Sequence, residues 1–272
     1  MGAGGTRTPT CRTTRSGQRS FLLNDTYNSV YDRLCQSASF DDVLRAVLGD
    51  EHCGLDGQLS YVRKREVEEC VLRISEVPRH LAKVLDVGCG TGSFTLHFAG
   101  FANWATGVDT SEKAIAVARN RRVDVSNATF QLGSFNHLPF EDESFTTVTA
   151  LDSIQHARPF DDAAVELSRV LAVGGSLVFT NWLWRAPLEI LVRADPLYTS
   201  LIDAGFRIVS VSDTDPGLVD QIKIYIALAE HKAQIEREIG PELFQMFMAD
   251  AKHIAEKRKN IQRGLTVAIK QY

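Results

Sequence analysis

The chain has 272 residues, of which 44% are hydrophobic, 24% charged and 8% aromatic, and these ordinary globular fractions exclude collagenous, coiled-coil and wholly disordered proteins. Lys plus Arg number 30 against 34 Asp plus Glu, and the net charge of −4 gives no general pull toward a phosphate backbone, so no nucleic-acid partner is expected. No apolar run approaches the roughly 18 residues of a membrane span. The size permits one large domain, or one with a helical annex, and leaves room for a homo-oligomer.

Residues 1–20 hold four arginines, many Gly, Thr and Ser, and no acid. They are read as a disordered arm, because they cannot bury enough apolar surface to offset ordering. The composition is also compatible with an organelle transit peptide, and Gly2 with Thr6 fits a short myristoylation pattern. Cys11, Cys35, Cys53, Cys70 and Cys89 are odd in number and scattered. That is the pattern of reduced thiols in a cytoplasmic protein, not of a disulfide framework or a metal site.

Residues 21–78 read as a helical N-terminal lid. Tyr27, Val30, Tyr31 and Leu34 share one helix face behind Asn24-Asp25, a second stripe (Phe40, Val43, Leu44, Val47) follows Ser39, and a third helix spans 62–74 after the turn Cys53-Gly54-Leu55-Asp56-Gly57. From residue 79 the texture becomes alternating. Short apolar strands are predicted at 83–87, 105–109, 128–132, 146–151 and 176–181, separated by helices such as 112–120, the pattern of a doubly wound α/β sheet. A helix at 195–204 and a strand at 206–212 come next, and then a helical insertion over about 217–263, broken at Gly240-Pro241. The last strand is predicted at 265–269.

The most informative stretch is Val84-Leu85-Asp86-Val87-Gly88-Cys89-Gly90-Thr91-Gly92, a strand that runs through three alternate glycines into a helix near Ser93. Glycines permit sharp turning and close backbone approach, and the helix N-terminus offers free N–H groups. Asp109 closes the next strand, where a carboxylate accepts from two ribose hydroxyls. A dinucleotide fingerprint requires Gly or Ala where this chain has Ser93, and Asp86 would sit badly beside a pyrophosphate. Asp86 suits instead a cationic ligand with an ammonium and a sulfonium.

This loop resembles motif I of class I S-adenosyl-L-methionine (SAM)-dependent methyltransferases. Gly107-Val108-Asp109-x-Ser111, Leu138-Pro139-Phe140-Glu141-Asp142-Glu143-Ser144-Phe145 and Val170-Leu171-Ala172-Val173-Gly174-Gly175 match the family in order and spacing over residues 80–182. The resemblance implies a seven-stranded sheet of order 3-2-1-4-5-7-6 with the last strand antiparallel. It also implies that SAM lies over Asp86, Gly88, Gly90 and Gly92, its ribose held by Asp109. Adenine would lie beside Thr110 and Gly133-Ser134-Phe135, where Ser134 replaces a frequent Asp and Phe135 packs on the ring.

Strand four ends Leu151-Asp152-Ser153-Ile154-Gln155-His156. This resembles the D/E-S-I/L-x-H of the small-molecule branch: sugar O-, phosphoethanolamine N- and isoprenoid C-methyltransferases. The resemblance makes His156 a base or gate, lets Leu151 and Asp152 flank the cofactor's methionine end, and lays Tyr31 over the cofactor. Packing of Tyr27 against Tyr31, and a His that simply starts a helix, are the plainer alternatives. Aromatics gather where a lid belongs (Tyr27, Tyr31, Phe40, Tyr61, Trp182, Trp184, Tyr198, Tyr225, Phe244, Phe247), which favours a small hydrophobic substrate.

Three functions remain open at this point. The first is methyl transfer to O, N or C of a small apolar metabolite in natural-product biosynthesis. Its sharper variant is C-methylation of a prenyl or terpenoid alkene through a carbocation, with cyclisation as one outcome. The last is SAM binding without methyl transfer.

Overall fold

The structure, a computed structural model, describes residues 33–34, 37–213 and 215–272. Apolar runs become seven strands: β1 (Lys83–Val87), β2 (Trp104–Asp109), β3 (Ala128–Leu132), β4 (Phe145–Ala150), β5 (Leu171–Trp184), β6 (Phe206–Asp213) and β7 (Ile261–Lys270). They form one sheet of order β3-β2-β1-β4-β5-β7-β6, with β7 antiparallel to both neighbours, the arrangement implied by the resemblance. β7 and the carboxyl end of β5 are longer than predicted because each extends the other: Ser176 to Trp184 pairs residue for residue with Ile269 to Ile261.

Alternate residues of a strand face opposite sides, and here both sides are covered. Leu85, Val87, Leu177 and Phe179 enter one core together with α5 (Phe160–Val170) and α7 (Pro196–Asp203). Val84 and Val178 enter the other, with α2 (Lys64–Ser75) and α3 (Ser93–Ala99). α4 (Glu112–Arg121) flanks β2 and β3 and starts at Ser111, whose hydroxyl accepts from the Ala114 N–H. The short α6 (Leu188–Ala194) leads into α7, which Asp195 caps through the Leu197 N–H with Pro196 in its first turn.

A third core is purely helical. α1 (Ala38–Leu48) packs with α8 (Asp215–Glu230), α9 (Lys232–Ile239) and α10 (Pro241–Lys257) through Phe40, Leu44, Ile224, Leu228, Ile239 and Phe244. The cap of α1 is Ser37, two residues before the Ser39 expected to precede the stripe; Ser39 instead donates to Glu238, as Ser37 also does. Gly240, with φ of 86°, and Pro241 at the first position of α10 make the break between α9 and α10. Helices from the two ends of the chain therefore share one apolar core.

Candidate active site

At the carboxyl end of β1 the chain turns through Gly88, Gly90 and Gly92, all at positive φ, into α3. Two of these glycines answer to packing. A Cβ on Gly88 would stand 2.4 Å from the Ser153 Cβ, and one on Gly92 would stand 2.6 Å from the Phe130 ring. Gly90 donates its N–H to Asp109 Oδ2 at 2.9 Å, while Asp109 Oδ1 accepts from the Ser111 N–H at 2.9 Å. The carboxylate that ends β2 is thus pinned beside the glycine loop. Burial raises its pKa, and the backbone N–H groups oppose the shift.

Asp86 lies beneath the loop, 2% exposed, accepting from Thr95 Oγ1 at 2.6 Å and Thr149 Oγ1 at 3.0 Å. Burial pushes its carboxyl up to about 6, although both hydroxyls pull it down. Ser93, at the place where a dinucleotide fingerprint wants glycine, has a use of its own. Its hydroxyl donates to the Asp56 carbonyl at 2.5 Å, Thr91 Oγ1 donates to the Gly57 carbonyl at 3.1 Å, and Arg121 reaches Asp56, Thr91 and Ser93 at once. The glycine-rich turn before α2 is thereby fastened onto the glycine loop.

At the neighbouring strand end, Gly133 donates its N–H to the Asp109 carbonyl, and Ser134 exchanges backbone bonds with His137. Thr110 sits half-buried between β2 and α4. Phe135 is 8% exposed and belongs to the core that also holds Val108 and Leu138, so most of its ring is already taken. Tyr27 and Tyr31 lie outside the described residues.

Beyond β4, Leu151 is buried in the sheet core and Asp152 takes a left-handed backbone with φ of 52°, which Asp tolerates better than most residues. Every polar atom of Asp152 is engaged. Its N–H donates to Thr180 Oγ1, its Oδ2 accepts from the Tyr61 N–H at 3.1 Å, and its Oδ1 accepts from Thr180 and pairs with Arg263. Its carbonyl accepts from Gln155 Nε2 at 2.9 Å. Arg263, 1% exposed, also makes two contacts, at 3.1 and 3.2 Å, with the fully buried Glu66 of α2. Desolvation opposes the Arg263 charge, but Asp152 and Glu66 together hold its pKa above the ordinary value.

His156 closes the short 3₁₀ turn Ile154–His156. Its ring reaches solvent, yet the surrounding protein displaces enough water to lower its pKa, against the pull of Asp152 and Asp250. Near it runs a second polar chain: Tyr225 donates to Asp250, Gln221 donates to Tyr225, and the Tyr61 ring meets the Tyr225 ring edge-on at 5.6 Å. Burial drives both tyrosine hydroxyls well above their ordinary range.

Next to this chain lies a half-open cavity of about 460 Å³ between the end of β5 and α10, lined by Gln155, Phe160, Asn181, Trp182, Trp184 and Ile254 among others. Of the aromatics expected over the site, Trp182 and Trp184 line this cavity. Tyr198 is fully buried and bonds Thr266, and Phe40, Tyr225 and Phe244 belong to the helical core. Sequence reasoning missed Glu66, Arg263, Asn181 and Asp250 as site residues. The available signal was a charge, Arg263, inside an otherwise apolar strand run, which demands a buried partner.

The sheet order, the glycine loop and the acids at the ends of β1 and β2 define a SAM-binding α/β fold, and residues 85–179 match the family model described as a methyltransferase domain. Residues 85–179 thus carry a methyltransferase domain on this α/β fold, and the cofactor of such a domain is S-adenosyl-L-methionine. The chain is 31% identical over 182 residues, 60% of its length and 65% of the other's, to "O-methyltransferase cnsE" of Penicillium expansum. It is 28% identical over 199 residues, 70% of its length and 68% of the other's, to "Methyltransferase GfsG" of Streptomyces halstedii. About two thirds of each relative is therefore spanned. Among solved structures, the [4+2]-cyclase SpnF superposes with a TM-score of 0.70 at 24% identity, over 93% of this chain and 96% of that one. Among the described residues, no helix is long and apolar enough to cross a membrane and no metal-binding cluster is present.

Proposed function

We propose that the protein transfers the methyl group of SAM to a small, largely apolar metabolite of natural-product biosynthesis. The observation that carries this reading is that the glycine loop and the aromatic-walled cavity open at the same, carboxyl edge of the sheet, where α/β sheets bind ligands. The residues fit the cofactor: Gly88, Gly90 and Gly92 give a backbone cradle, Asp86 and Asp109 place two acids beneath and beside it, and Leu151 and Asp152 border its methionine end. Bound there, SAM supplies a methyl already activated by its sulfonium. Thr110, Gly133, Ser134 and Phe135 would border the adenine.

The protein's own work is then positioning and proton handling. Trp182 and Trp184 hold the substrate body and exclude water. His156, kept neutral near pH 7 by its lowered pKa, accepts a proton from a hydroxyl or ammonium at a ring nitrogen. The free thiols of half-buried Cys53 and of buried Cys70 and Cys89 fit a cytoplasmic setting. A second reading, C-methylation of an alkene, draws on the same aromatic wall, since Trp182, Trp184 and Phe160 would face a developing carbocation.

The test is calorimetry with SAM and S-adenosylhomocysteine, followed by transfer of labelled methyl to a library of apolar hydroxy, amino and prenyl compounds. Micromolar or tighter binding is expected, abolished by Gly90→Arg with the melting temperature followed in parallel. Preference for NAD(H) sinks the proposal. Tight SAM binding with chemistry on substrate but no label transfer moves the protein to the non-methylating class.

A further inference from the structure

The guanidinium of Arg121, at the end of α4, joins two distant segments of the chain. Its Nη1 stands 3.0 Å from the Asp56 carbonyl, 3.0 Å from Thr91 Oγ1 and 3.2 Å from Ser93 Oγ. An arginine nitrogen only donates, so both hydroxyls accept from it and each keeps one proton to give. Those protons go to the chain that precedes α2. Ser93 donates to the Asp56 carbonyl at 2.5 Å, and Thr91 donates to the Gly57 carbonyl at 3.1 Å. Gly57 makes the approach possible, because a Cβ there would stand 1.7 Å from the Arg121 Nη1.

The segment held in this way, residues 53–61, is tied at its far end as well. The Tyr61 N–H donates to Asp152 Oδ2 at 3.1 Å, and the chain from Gly57 to Tyr61 reaches at most roughly 14 Å. Gln58, 1% exposed, braces the segment against itself. Its Oε1 accepts from the Cys53 N–H at 3.3 Å and its Nε2 donates to the Val62 carbonyl at 2.7 Å. Residues 53–61 are therefore a braced strap between the glycine loop and the Asp152 turn. Apolar packing adds little, since Leu55 and Leu59 are half-buried and Asp56 is exposed. A segment held mainly by hydrogen bonds opens at lower cost than the packed core.

On the placement of SAM over the glycine loop and against Asp152, the strap joins the two walls of the cofactor's methionine end. We infer that Arg121 is a positioning residue for the cofactor: it latches residues 53–61 across that end, and the strap lifts for SAM to enter and S-adenosylhomocysteine to leave. Arg121 acts through Thr91, Ser93 and the strap, and what it sets is the residence time of cofactor and product. One charged donor shared by two hydroxyls strengthens both strap bonds at once, so its removal loosens them together.

The experiment follows tritiated S-adenosylhomocysteine on the full-length protein, its binding rate and its release after a chase with excess unlabelled compound. Arg121→Gln is expected to raise the dissociation rate roughly tenfold or more while the association rate holds or rises. Arg121→Lys, which keeps the charge without the planar fork, should fall between. Arg122→Gln is the comparison: Arg122 donates to the Ala128 carbonyl of β3 at 2.8 Å, so its loss touches stability and should leave release unchanged. Hydrogen exchange over residues 53–61 should slow on S-adenosylhomocysteine binding in the wild type and much less in Arg121→Gln. A wild-type dissociation rate in Arg121→Gln overturns the inference, as does equally fast release from Arg122→Gln. Affinity lost wholly through slower association also overturns it, because that marks a misshapen loop and not an open strap. A wild-type protein that binds no S-adenosylhomocysteine removes the cofactor placement and the strap's role with it, whereas tight binding with unaltered release in Arg121→Gln removes the strap alone.

Discussion

Asp86 is a buried carboxyl whose ionisation opposes the fold. Its folded pKa near 6 exceeds the ordinary value of 3.8, so protonation stabilises the folded chain fully below that ordinary value, and the benefit is lost as pH rises through 6. At pH 8 the buried carboxylate is a standing cost of about 1–3 kcal/mol. Asp86→Asn, whose amide still reaches Thr95 and Thr149, is expected to raise the urea midpoint of the apo protein at pH 8, to lose that advantage near pH 4.5, and to weaken SAM binding. Equal destabilisation at both pH values contradicts this account. His156 is shifted the other way, downward from 6.5 by burial. If it is the base, turnover should fall with acidification at a pH below the ordinary imidazole range. His156→Ala should cut kcat by roughly 10²–10⁴-fold and leave S-adenosylhomocysteine affinity alone. Wild-type turnover in that variant leaves the histidine without a catalytic role.

Among the elements, the strands were legible because each is a short apolar run closed by glycine or polar residues, and the glycine loop because it lies wholly within nine consecutive residues. The extra length of β7 and of the carboxyl end of β5 was not, since it depends on residues about 80 positions apart, such as Trp182 and Arg263, pairing with each other. Nor was the fastening of the 52–60 turn through Ser93 and Arg121, which no local pattern encodes. The sequence reading took Gly92 as room for a ligand; the structure adds that Phe130 and the Ala118 Cβ already crowd that space. Gly92→Ala therefore meets both an unfavourable left-handed backbone and a methyl 2.6 Å from an aromatic ring, for an expected loss of about 2–4 kcal/mol. Thermal or urea unfolding measures it. Phe130→Leu in the same background should return part of the loss, whereas wild-type stability of Gly92→Ala means the loop relaxes more easily than its packing implies.

Across the whole molecule, one buried cation joins segments from both ends of the chain to the site. Arg263, near the start of β7, is held by Glu66 of the N-terminal α2 and by Asp152 beyond β4, and nothing in the spacing of residues 66, 152 and 263 announces that they meet. Burying three charges is favourable only while they stay paired. Arg263→Met preserves length and apolarity but strands the Glu66 carboxylate, which is fully buried, and leaves Asp152 with hydrogen bonds alone to hold its strained backbone. A loss of about 3–5 kcal/mol in urea unfolding is expected, with SAM affinity falling as the Asp152 turn loosens. Glu66→Leu combined with Arg263→Met removes the stranded charge and should recover most of the stability. Because Asp152 still lacks its cation in the double variant, SAM affinity should stay low while stability returns. That separation is the decisive readout. If stability and affinity recover together, the triad acts only through the fold, and if Arg263→Met costs less than about 1 kcal/mol, its buried partners are solvated in a way the structure does not show.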